Sequence, residues 1–348
     1  MRLSPATRPQ KAPTMSRRYV EQLRDGDTLD DVYLAVDKQL RTNRKGDLFL
    51  QVDLRDRTGG MSARLWNAGD AQFRSFENGD FLHAEGKVQN FQGTLQIILE
   101  HFEKVEPQKV EVADFLPKTD HDIGKLTERL RGYLLGLTNP NLRALGELFL
   151  MDGDFLKRFQ TCPAGVKLHH AYVGGLLEHT VTMMDIAERL LPFYPGTDRE
   201  LTLTGIFLHD IGKTRELSYA RAFGYTDEGQ LLGHITIGVE MLGEKVAKVP
   251  ELTGEPFPRD LLVKLKHLVL SHHGTLEYGS PKVPMTAEAM LLHAIDVMDT
   301  RMHMVARDYK EDRNNATAWT PYNGNLQRRF YKGGQHGDLF TTHSDSFD

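Results

Sequence analysis

Hydrophobic and polar positions follow two different periods along this chain, and the change of period predicts two kinds of domain. Between residues 28 and 105, apolar and polar residues alternate in runs such as LFLQVDLRD, MSARLW and TLQIILEHF, which are separated by glycine-containing turns. Such alternation is typical of strands that bury one face. Five or so short strands of this kind predict a small closed barrel, and the OB fold is the best match.

From about residue 120 to residue 310 the apolar positions recur at helical spacing instead. In DLLVKLKHLVLSHHG, for example, Leu265, Leu268 and His272 share one stripe. This segment therefore predicts an all-α domain. We expect a multidomain α and β protein in this order: a flexible basic arm (1–18), an OB-fold nucleic-acid-binding domain (19–108), a linker (109–120), an all-α domain (121–310) and a loosely ordered C-terminal tail (311–348).

Composition narrows the class and the location of the protein. No apolar run reaches the roughly 18 residues that cross a bilayer, and the N-terminal sequence lacks the apolar segment of a signal peptide. The single cysteine, Cys162, excludes an internal disulfide framework and suits a reducing cytoplasm. The net charge of -5 provides no overall attraction to nucleic acid, so any polyanion site must be a local basic patch.

Histidines and aspartates accompany the helical stretches and form a candidate metal site. We call the following seven residues the donor set: His179, His209, Asp210, His234, His272, His273 and Asp296. Any one of these histidines alone is more simply explained as a core residue bonded to a carbonyl group. Together they supply about as many nitrogen and oxygen donors as two adjacent divalent metals need once water completes the coordination. Paired metals of this kind commonly hydrolyse phosphate esters, so the sequence predicts a metal-dependent phosphohydrolase.

The phrase HDIGK occurs twice, at 121–125 and at 209–213, and only the second copy belongs to the donor set. The first copy follows a polar stretch that contains proline, not the end of an apolar helix. We interpret Asp120 or Asp122 as the N-cap of the helix that begins there. No chemistry is assigned to His121.

The order H…HD…H…HH…D resembles the two-metal form of the HD superfamily of metal-dependent phosphohydrolases. The phrases LHHAYVGGLLEHTVTM, FLHDIGKTREL, LLGHITIG and LVLSHHGTLEYGSP resemble one branch, the YhaM-type 3′→5′ exoribonucleases, in which an OB domain precedes the HD domain. The resemblance covers about residues 20–305. It implies that the donor set ligates two divalent ions, with Mn²⁺ favoured over Mg²⁺, Co²⁺ or Fe²⁺. It also implies that His209 and Asp210 are catalytic and that a free Lys213 contacts a phosphate oxygen.

Two assignments stay open. Asp296 and Asp299 are three residues apart and both are able to face the site; Asp296 is preferred because it follows the His-Ala-Ile that matches the family position. His169 and His170 also belong to the signature of the branch. His170 is a candidate catalytic residue that contacts the scissile strand or assists the leaving group, or else it caps and packs the helix that follows.

The predicted barrel carries a local basic excess, with seven basic and four acidic residues between 36 and 68. Basic loops that track a backbone and aromatic residues that stack on bases are typical of barrels that bind single strands. Phe49 and Phe81 are expected in the barrel core. The candidate contacts to nucleic acid are Arg41, Arg44, Lys45, Arg64, Trp66 and Phe91, together with Arg215 after the second HDIGK.

These observations favour an exoribonuclease that degrades single-stranded RNA, and also single-stranded DNA, to nucleoside 5′-monophosphates through hydroxide attack on the terminal phosphodiester. A homo-oligomer is compatible with the sequence. One alternative is an HD phosphohydrolase that acts on small nucleotides or cyclic dinucleotides. Another is a non-catalytic single-strand-binding protein with a structural metal, but a structural site closes with four ligands and needs no second ion.

Overall fold

A computed structural model of the chain describes residues 17–43, 45–91, 93–166, 170–219, 223–312 and 317–333. Arg44, His169 and most of the predicted basic arm lie outside these residues. The chain divides into two compact units between Glu111 and Val112, and this boundary falls within the predicted linker. Each unit is built around its own hydrophobic core.

The first unit is a five-stranded barrel. Its elements are β1 (Thr28–Thr42), β2 (Leu48–Asp56), β3 (Gly59–Trp66), α1 (Asp70–Arg74), β4 (Phe81–Phe91) and β5 (Thr94–Val105). The strands close in the order β1-β2-β3-β5-β4, with β3 and β5 parallel and the other pairs antiparallel. The register of β1 shifts between Val36 and Gln39, where Asp37 has a φ of 54°. A bulge of this kind bends the long strand so that it pairs with β2 at one end and with β4 at the other. The predicted closed barrel is confirmed.

Alternation along β2 separates the barrel core from its outer surface. Leu50, Val52 and Leu54 belong to the core, so Phe49 points to the opposite side of the sheet. Phe49 is buried, as expected, but against Trp66 of β3, with ring centroids 5.0 Å apart. Its burial therefore comes from an aromatic pair on the outer face and not from the barrel core.

The second unit is helical. Its elements are α2 (Ile123–Leu135), α3 (Pro140–Met151), α4 (Gly153–Thr161), α5 (Gly175–Leu190), α6 (Arg199–Leu208), α7 (Lys213–Glu216), β6 (Leu217–Ser218), β7 (Gly224–Tyr225), α8 (Asp227–Val246), α9 (Pro250–Thr253), α10 (Arg259–Ser271) and α11 (Ala287–Glu311). The helix α6 packs against α5, α10 and α11. The strands β6 and β7 form a small antiparallel pair, which is the departure from the all-α prediction. Among the described residues, no helix combines the length and the apolar character needed to cross a membrane.

The first HDIGK copy begins a helix, as predicted. The side chain of Asp122 accepts a hydrogen bond from the backbone N–H of Lys125 and caps α2. This bond satisfies one of the N–H groups that the first turn of a helix leaves without a backbone partner.

Part of the predicted loose tail is ordered. Residues 317–333 form what we call the C-terminal hairpin, in which Trp319 pairs with Tyr331 and Asn323 pairs with Arg328. A buried ion pair between Lys332 Nζ and Asp312 Oδ2, 2.6 Å apart, fastens this hairpin to the end of α11. Composition alone suggested disorder because it does not show such long-range bonds.

Candidate metal centre

Five helical segments bring the donor set together. His179 lies in α5, His209 and Asp210 follow the last residue of α6, His234 lies in α8, His272 and His273 follow α10, and Asp296 lies in α11. The side chains of His179, His209, Asp210 and His272 are buried. All seven predicted residues therefore converge within the helical unit.

Two glycines allow the chain to enter this centre. A Cβ atom on Gly212 would lie 2.0 Å from the backbone oxygen of His234, so only glycine lets the turn after Asp210 pack against α8. Gly233 has a φ of 72° and breaks the helical path of α8 just before His234. The break redirects the chain at the residue that carries the imidazole.

The five imidazoles of the donor set share one orientation. In each ring Nδ1 lies next to an oxygen that accepts its hydrogen bond: Asp299 Oδ2 for His179 (2.7 Å), Ile206 O for His209 (2.6 Å), Glu216 Oε1 for His234 (3.0 Å), Val269 O for His272 (2.7 Å) and Tyr278 O for His273 (2.8 Å). Because carbonyl and carboxylate oxygens accept these bonds, Nδ1 carries the proton. Nε2 then offers its lone pair in four of the rings, whereas in His179 it faces the carboxylate of Asp296. This is the arrangement in which histidine binds a metal.

Asp210 lies between these lone pairs. Its Oδ2 is 3.2 Å from Nε2 of His209, and its Oδ1 is 3.5 Å from Nε2 of His234 and 3.6 Å from Nε2 of His272. Within the described residues, these three Nε2 atoms and Asp210 Oδ1 are buried and have no hydrogen-bond partner. Buried polar atoms are normally satisfied. A cluster of imidazole lone pairs and a carboxylate oxygen fits a divalent metal ion.

The ligand atoms fall into two groups. One group contains His179, His209 and Asp210, and the other contains His234, His272 and His273, with the atoms of each group within 4.8 Å of one another. Asp210 belongs to the first group, and its other oxygen faces His234 of the second. One carboxylate therefore connects the two groups.

Burial sets the protonation of His272 and His273. It lowers the pKa of His272 well below its ordinary value and also lowers the pKa of His273, so both rings are neutral at physiological pH. Burial would raise the pKa of Asp210, but the charge of Lys213 and the neighbouring His209 outweigh it and hold that pKa well below its usual value. The carboxylate of Asp210 is therefore ionised.

His179 differs from the other rings of the donor set. Burial lowers its pKa, but hydrogen bonds and charges from Asp296 and Asp299 more than offset this and raise it to about 10. The Oδ1 atom of Asp296 is 3.4 Å from Nε2 of His179, on the side that faces the other donors. A metal that binds here must displace a proton from this ring.

Lys213 is paired, whereas the sequence suggested a free side chain. Its Nζ lies 2.6 Å from Asp210 Oδ2, and its side chain is buried. Lys213 lies three residues after Asp210 in the chain, so its ammonium group reaches the carboxylate. It neutralises that negative charge at a buried position where little water is available to solvate it. Lys213 therefore brings a positive charge directly to the donor set.

Asp299 lies behind His179. Its Oδ2 accepts hydrogen bonds from Nδ1 of His179 at 2.7 Å and from Nε2 of His170 at 2.9 Å. The other nitrogen of His170 lies 2.7 Å from the hydroxyl group of Tyr172. Since both nitrogens of His170 contact protein groups, its position favours the packing role over contact with a scissile strand.

Glu216 and Tyr172 are functional candidates that the sequence interpretation missed. Glu216 accepts hydrogen bonds from both the backbone N–H and Nδ1 of His234, each at 3.0 Å, and so fixes that ring. The hydroxyl group of Tyr172 contacts both His170 and Glu178. Both residues lie inside the sequence phrases that resemble the exoribonuclease branch, and this position was the signal that could have identified them.

The predicted nucleic-acid contacts are divided between the two units. On the barrel, Arg41 pairs with Phe49 and Phe49 pairs with Trp66, so the three lie in one row across β1, β2 and β3. Trp66 is 42% exposed. Arg64 lies two residues before Trp66, so both lie on the same face of β3. The remaining barrel candidates are Lys45, in the turn after β1, and the exposed Phe91, at the end of β4.

Arg215 lies in the helical unit and its charge is already compensated. Its guanidinium donates hydrogen bonds to the carboxylate of Glu228 and lies 3.8 Å from a carboxylate oxygen of Glu244. The pair with Glu228, strengthened by the charge of both glutamates, raises the pKa of Arg215. Arg215 therefore forms ion pairs, and its contact with nucleic acid stays a prediction.

Comparison with known proteins agrees with this architecture. Residues 176–301 match the model of the HD domain, and residues 36–105 match that of an OB-fold nucleic acid binding domain. A solved mitochondrial single-stranded DNA binding protein from S. cerevisiae overlaps 24% of this chain and 98% of its own, at 13% identity and a TM-score of 0.21, which is too low to support an argument.

Two relatives match over most of their length. The 3'-5' exoribonuclease YhaM of Geobacillus sp. (strain WCH70) is 36% identical over 283 residues, which cover 80% of this chain and 84% of that protein. The 3'-5' exoribonuclease YhaM of Bacillus subtilis (strain 168) is 34% identical over 283 residues, which cover 81% and 88%. With its barrel, its helical HD domain and these relatives, the chain belongs to the family of YhaM-type 3′→5′ exoribonucleases.

Proposed function

We propose that this protein is a metal-dependent exoribonuclease that removes nucleotides from the 3′ end of single-stranded RNA and releases nucleoside 5′-monophosphates. The observation that carries the proposal is the set of buried Nε2 atoms of His209, His234 and His272 around Asp210. The relatives are named 3'-5' exoribonuclease, which supplies the reaction class. Single-stranded DNA is a second substrate under this proposal.

The donor set divides naturally between two ions. The first would be held by His179, His209, Asp210 and Asp296, and the second by Asp210, His234, His272 and His273. Bound divalent ions lower the pKa of a water molecule and offset charge on the phosphoryl oxygens. Five imidazoles make this set richer in nitrogen than Mg²⁺ prefers, so we favour Mn²⁺, with Fe²⁺ and Co²⁺ as alternatives.

The residues around the donor set keep it ready for the reaction. The bonds from Nδ1 of each imidazole hold the Nε2 atoms inward before any substrate arrives, so little reorganisation is needed. Lys213 contributes a buried positive charge beside Asp210. A phosphate oxygen that enters beside Asp210 would meet this ammonium group, which would offset the developing negative charge.

The outer face of the barrel supplies the single-strand contact in this proposal. The row of Arg41, Phe49 and Trp66 places a cation in line with the exposed ring of Trp66, which packs on the buried Phe49. Bases of any sequence stack on such rings, while arginines follow the phosphates. We propose that the barrel spans residues 19–108, that residues 109–120 link it to an HD domain at 121–310, and that the protein acts in the cytoplasm.

The test is a chain-shortening assay. Single-stranded RNA labelled at its 5′ end is incubated with protein and Mn²⁺, and the products are separated by length. Asp210→Asn removes the central carboxylate charge, so a ladder seen with the unaltered protein should disappear. Asp122→Asn is the matched control, because it makes the same change in the other HDIGK copy and asparagine caps a helix as well as aspartate does.

The outcomes separate the three candidate functions. A ladder that persists in Asp210→Asn would place the chemistry elsewhere. Intact RNA together with hydrolysis of free mononucleotides or cyclic dinucleotides would favour a small-nucleotide phosphohydrolase. RNA binding without any hydrolysis, in a protein that retains one tightly held ion, would favour the non-catalytic alternative.

A further inference from the structure

The C-terminal hairpin is held rigidly at the end of the helix that carries Asp296. Besides the ion pair to Asp312, the amide of Asn323 donates a hydrogen bond to Asp308 Oδ2 at 2.6 Å. The hydroxyl group of Tyr309 donates one to the backbone oxygen of Tyr331 at 3.0 Å. Three bonds therefore fix the hairpin to the last turns of α11, so its outer surface has a defined position relative to the metal centre.

This hairpin exposes large aromatic side chains. Trp319 is 49% exposed, and Tyr322 and Tyr331 are each 60% exposed. Trp319 and Tyr331 face each other across the hairpin, with ring centroids 5.1 Å apart. Thr320 and Lys332, the next residues along each arm, are buried. The exposed rings of Trp319 and Tyr331 therefore lie together on the outer face, and a group of exposed aromatics on a fixed element marks an interaction surface.

The charge of the hairpin selects the kind of partner. Residues 317–333 contain three basic residues and no acidic residue, although the whole chain has a net charge of -5. Lys332 pairs with Asp312, but the exposed Arg328 and Arg329 form no ion pair within the described residues. Arg329 is exposed and lies two residues before Tyr331 in the chain. Aromatic rings beside guanidinium groups that form no ion pair suit a single-stranded nucleic acid.

We propose that the C-terminal hairpin binds the substrate strand 5′ to the nucleotide that occupies the metal centre, with bases stacked on Trp319 and Tyr331 and a phosphate at Arg329. The inference rests on the proposed function, since the strand is the same RNA. Along α11, Asp308 lies twelve residues after the donor Asp296, which is roughly 18 Å at 1.5 Å per residue. A strand longer than a dinucleotide is therefore needed to reach from the metal centre to the hairpin.

The test measures RNA binding apart from cleavage. A fluorescent single-stranded RNA of about 16 nucleotides, the upper end of the site size of one barrel, is titrated with full-length protein in the presence of a chelator. Trp319→Ala should raise Kd about tenfold because one base loses its stacking partner. Arg329→Gln should reduce the slope of log Kd against log salt by about 0.7, the value for one phosphate contact on a single strand. Tyr194→Ala is the control, because Tyr194 is 55% exposed but lies outside the hairpin.

A second measurement compares substrates of two lengths in Mn²⁺. Both hairpin variants should raise KM for the long RNA and leave turnover of a dinucleotide unchanged. Wild-type Kd and salt slope in both variants would overturn the inference, as would a wild-type protein that binds no RNA. A change in sedimentation without a change in Kd would make the hairpin a contact between copies of the chain and would also overturn it. RNA binding that responds to Trp319→Ala, in a protein that never shortens RNA, would refute the exoribonuclease proposal and support the hairpin.

Discussion

Replacing Asp299 by Asn tests whether this buried carboxylate positions a metal ligand. Asn has nearly the same shape, and an oxygen at the position of Oδ2 still accepts hydrogen bonds from His179 and His170. The change therefore removes the negative charge and leaves the packing. A hydrogen bond to a charged group contributes roughly 1 kcal/mol more than a neutral one. Only the bond to His179 acts on a proposed ligand. We therefore expect metal affinity to fall about tenfold, at the low end of the losses that follow when a hydrogen-bond partner of a metal ligand is changed.

The pH dependence of this loss has a definite sign. Asp299 also raises the pKa of His179, so part of its benefit to metal binding is cancelled by tighter proton binding at the same ring. As pH rises, proton competition weakens, because fewer molecules carry the proton that the metal must displace. The loss of metal affinity in Asp299→Asn, relative to the unaltered protein, should therefore be larger near pH 9 than near pH 7.

The assay is a Mn²⁺ titration at both pH values, followed by the chain-shortening rate at saturating metal. The rate should recover most of its wild-type value, because the change weakens metal binding and leaves the donor set in place. Asp260→Asn is the matched control, since Asp260 is an exposed aspartate in the first turn of α10, another helix that leads to the donor set. Metal affinity within twofold of wild type at the higher pH would refute the positioning role.

Three further perturbations have expected outcomes. Gly212→Ala places a methyl group 2.0 Å from the backbone oxygen of His234 and should destabilise the fold by about 1–3 kcal/mol while weakening metal binding, as thermal unfolding with and without Mn²⁺ would show. Metal present at a hundred times its Kd should stabilise the protein by about 2.7 kcal/mol, an increase that a chelator reverses and that Asp210→Asn abolishes. The hydrogen bond from Lys245, with others, lowers the pKa of Asp152. This partly exposed pair therefore stabilises the fold when the pH is above 3.8, the pKa of the unfolded carboxyl group, and loses its effect as pH falls through the folded pKa. Asp152→Asn should therefore cost roughly 0.2–1 kcal/mol in urea unfolding at pH 7, and this cost should shrink as the pH falls through the folded pKa.

The donor set was predictable because each member lies beside an apolar run that must face the core. A histidine at the end of such a run, as His209 is after α6 and His272 after α10, is directed inward by the same periodicity that buries the leucines before it. The barrel was predictable for the same reason, since alternation shows which face of each strand is buried. Patterns that depend on one element are thus visible in the sequence.

Features that depend on two distant segments were not visible. Asp296 and Asp299 are three residues apart, which is about 60° around a helix, so both lie on the same side of α11. What distinguishes them is His170, 129 residues earlier in the chain, which donates a hydrogen bond to Asp299. The ion pair of Arg215 with Glu228 and the fastening of the C-terminal hairpin are hidden from a linear pattern in the same way.

The two HDIGK copies show why the letters alone do not determine chemistry. In the first copy, Asp122 precedes a helix, and its carboxylate is used by the backbone N–H of Lys125. In the second, Asp210 follows the buried helix α6, and the turn at Gly212 packs so closely on α8 that the carboxylate meets three imidazoles instead of backbone N–H groups. The same five residues thus give a helix cap where a helix begins at the surface and a buried carboxylate among imidazoles where one ends in the core.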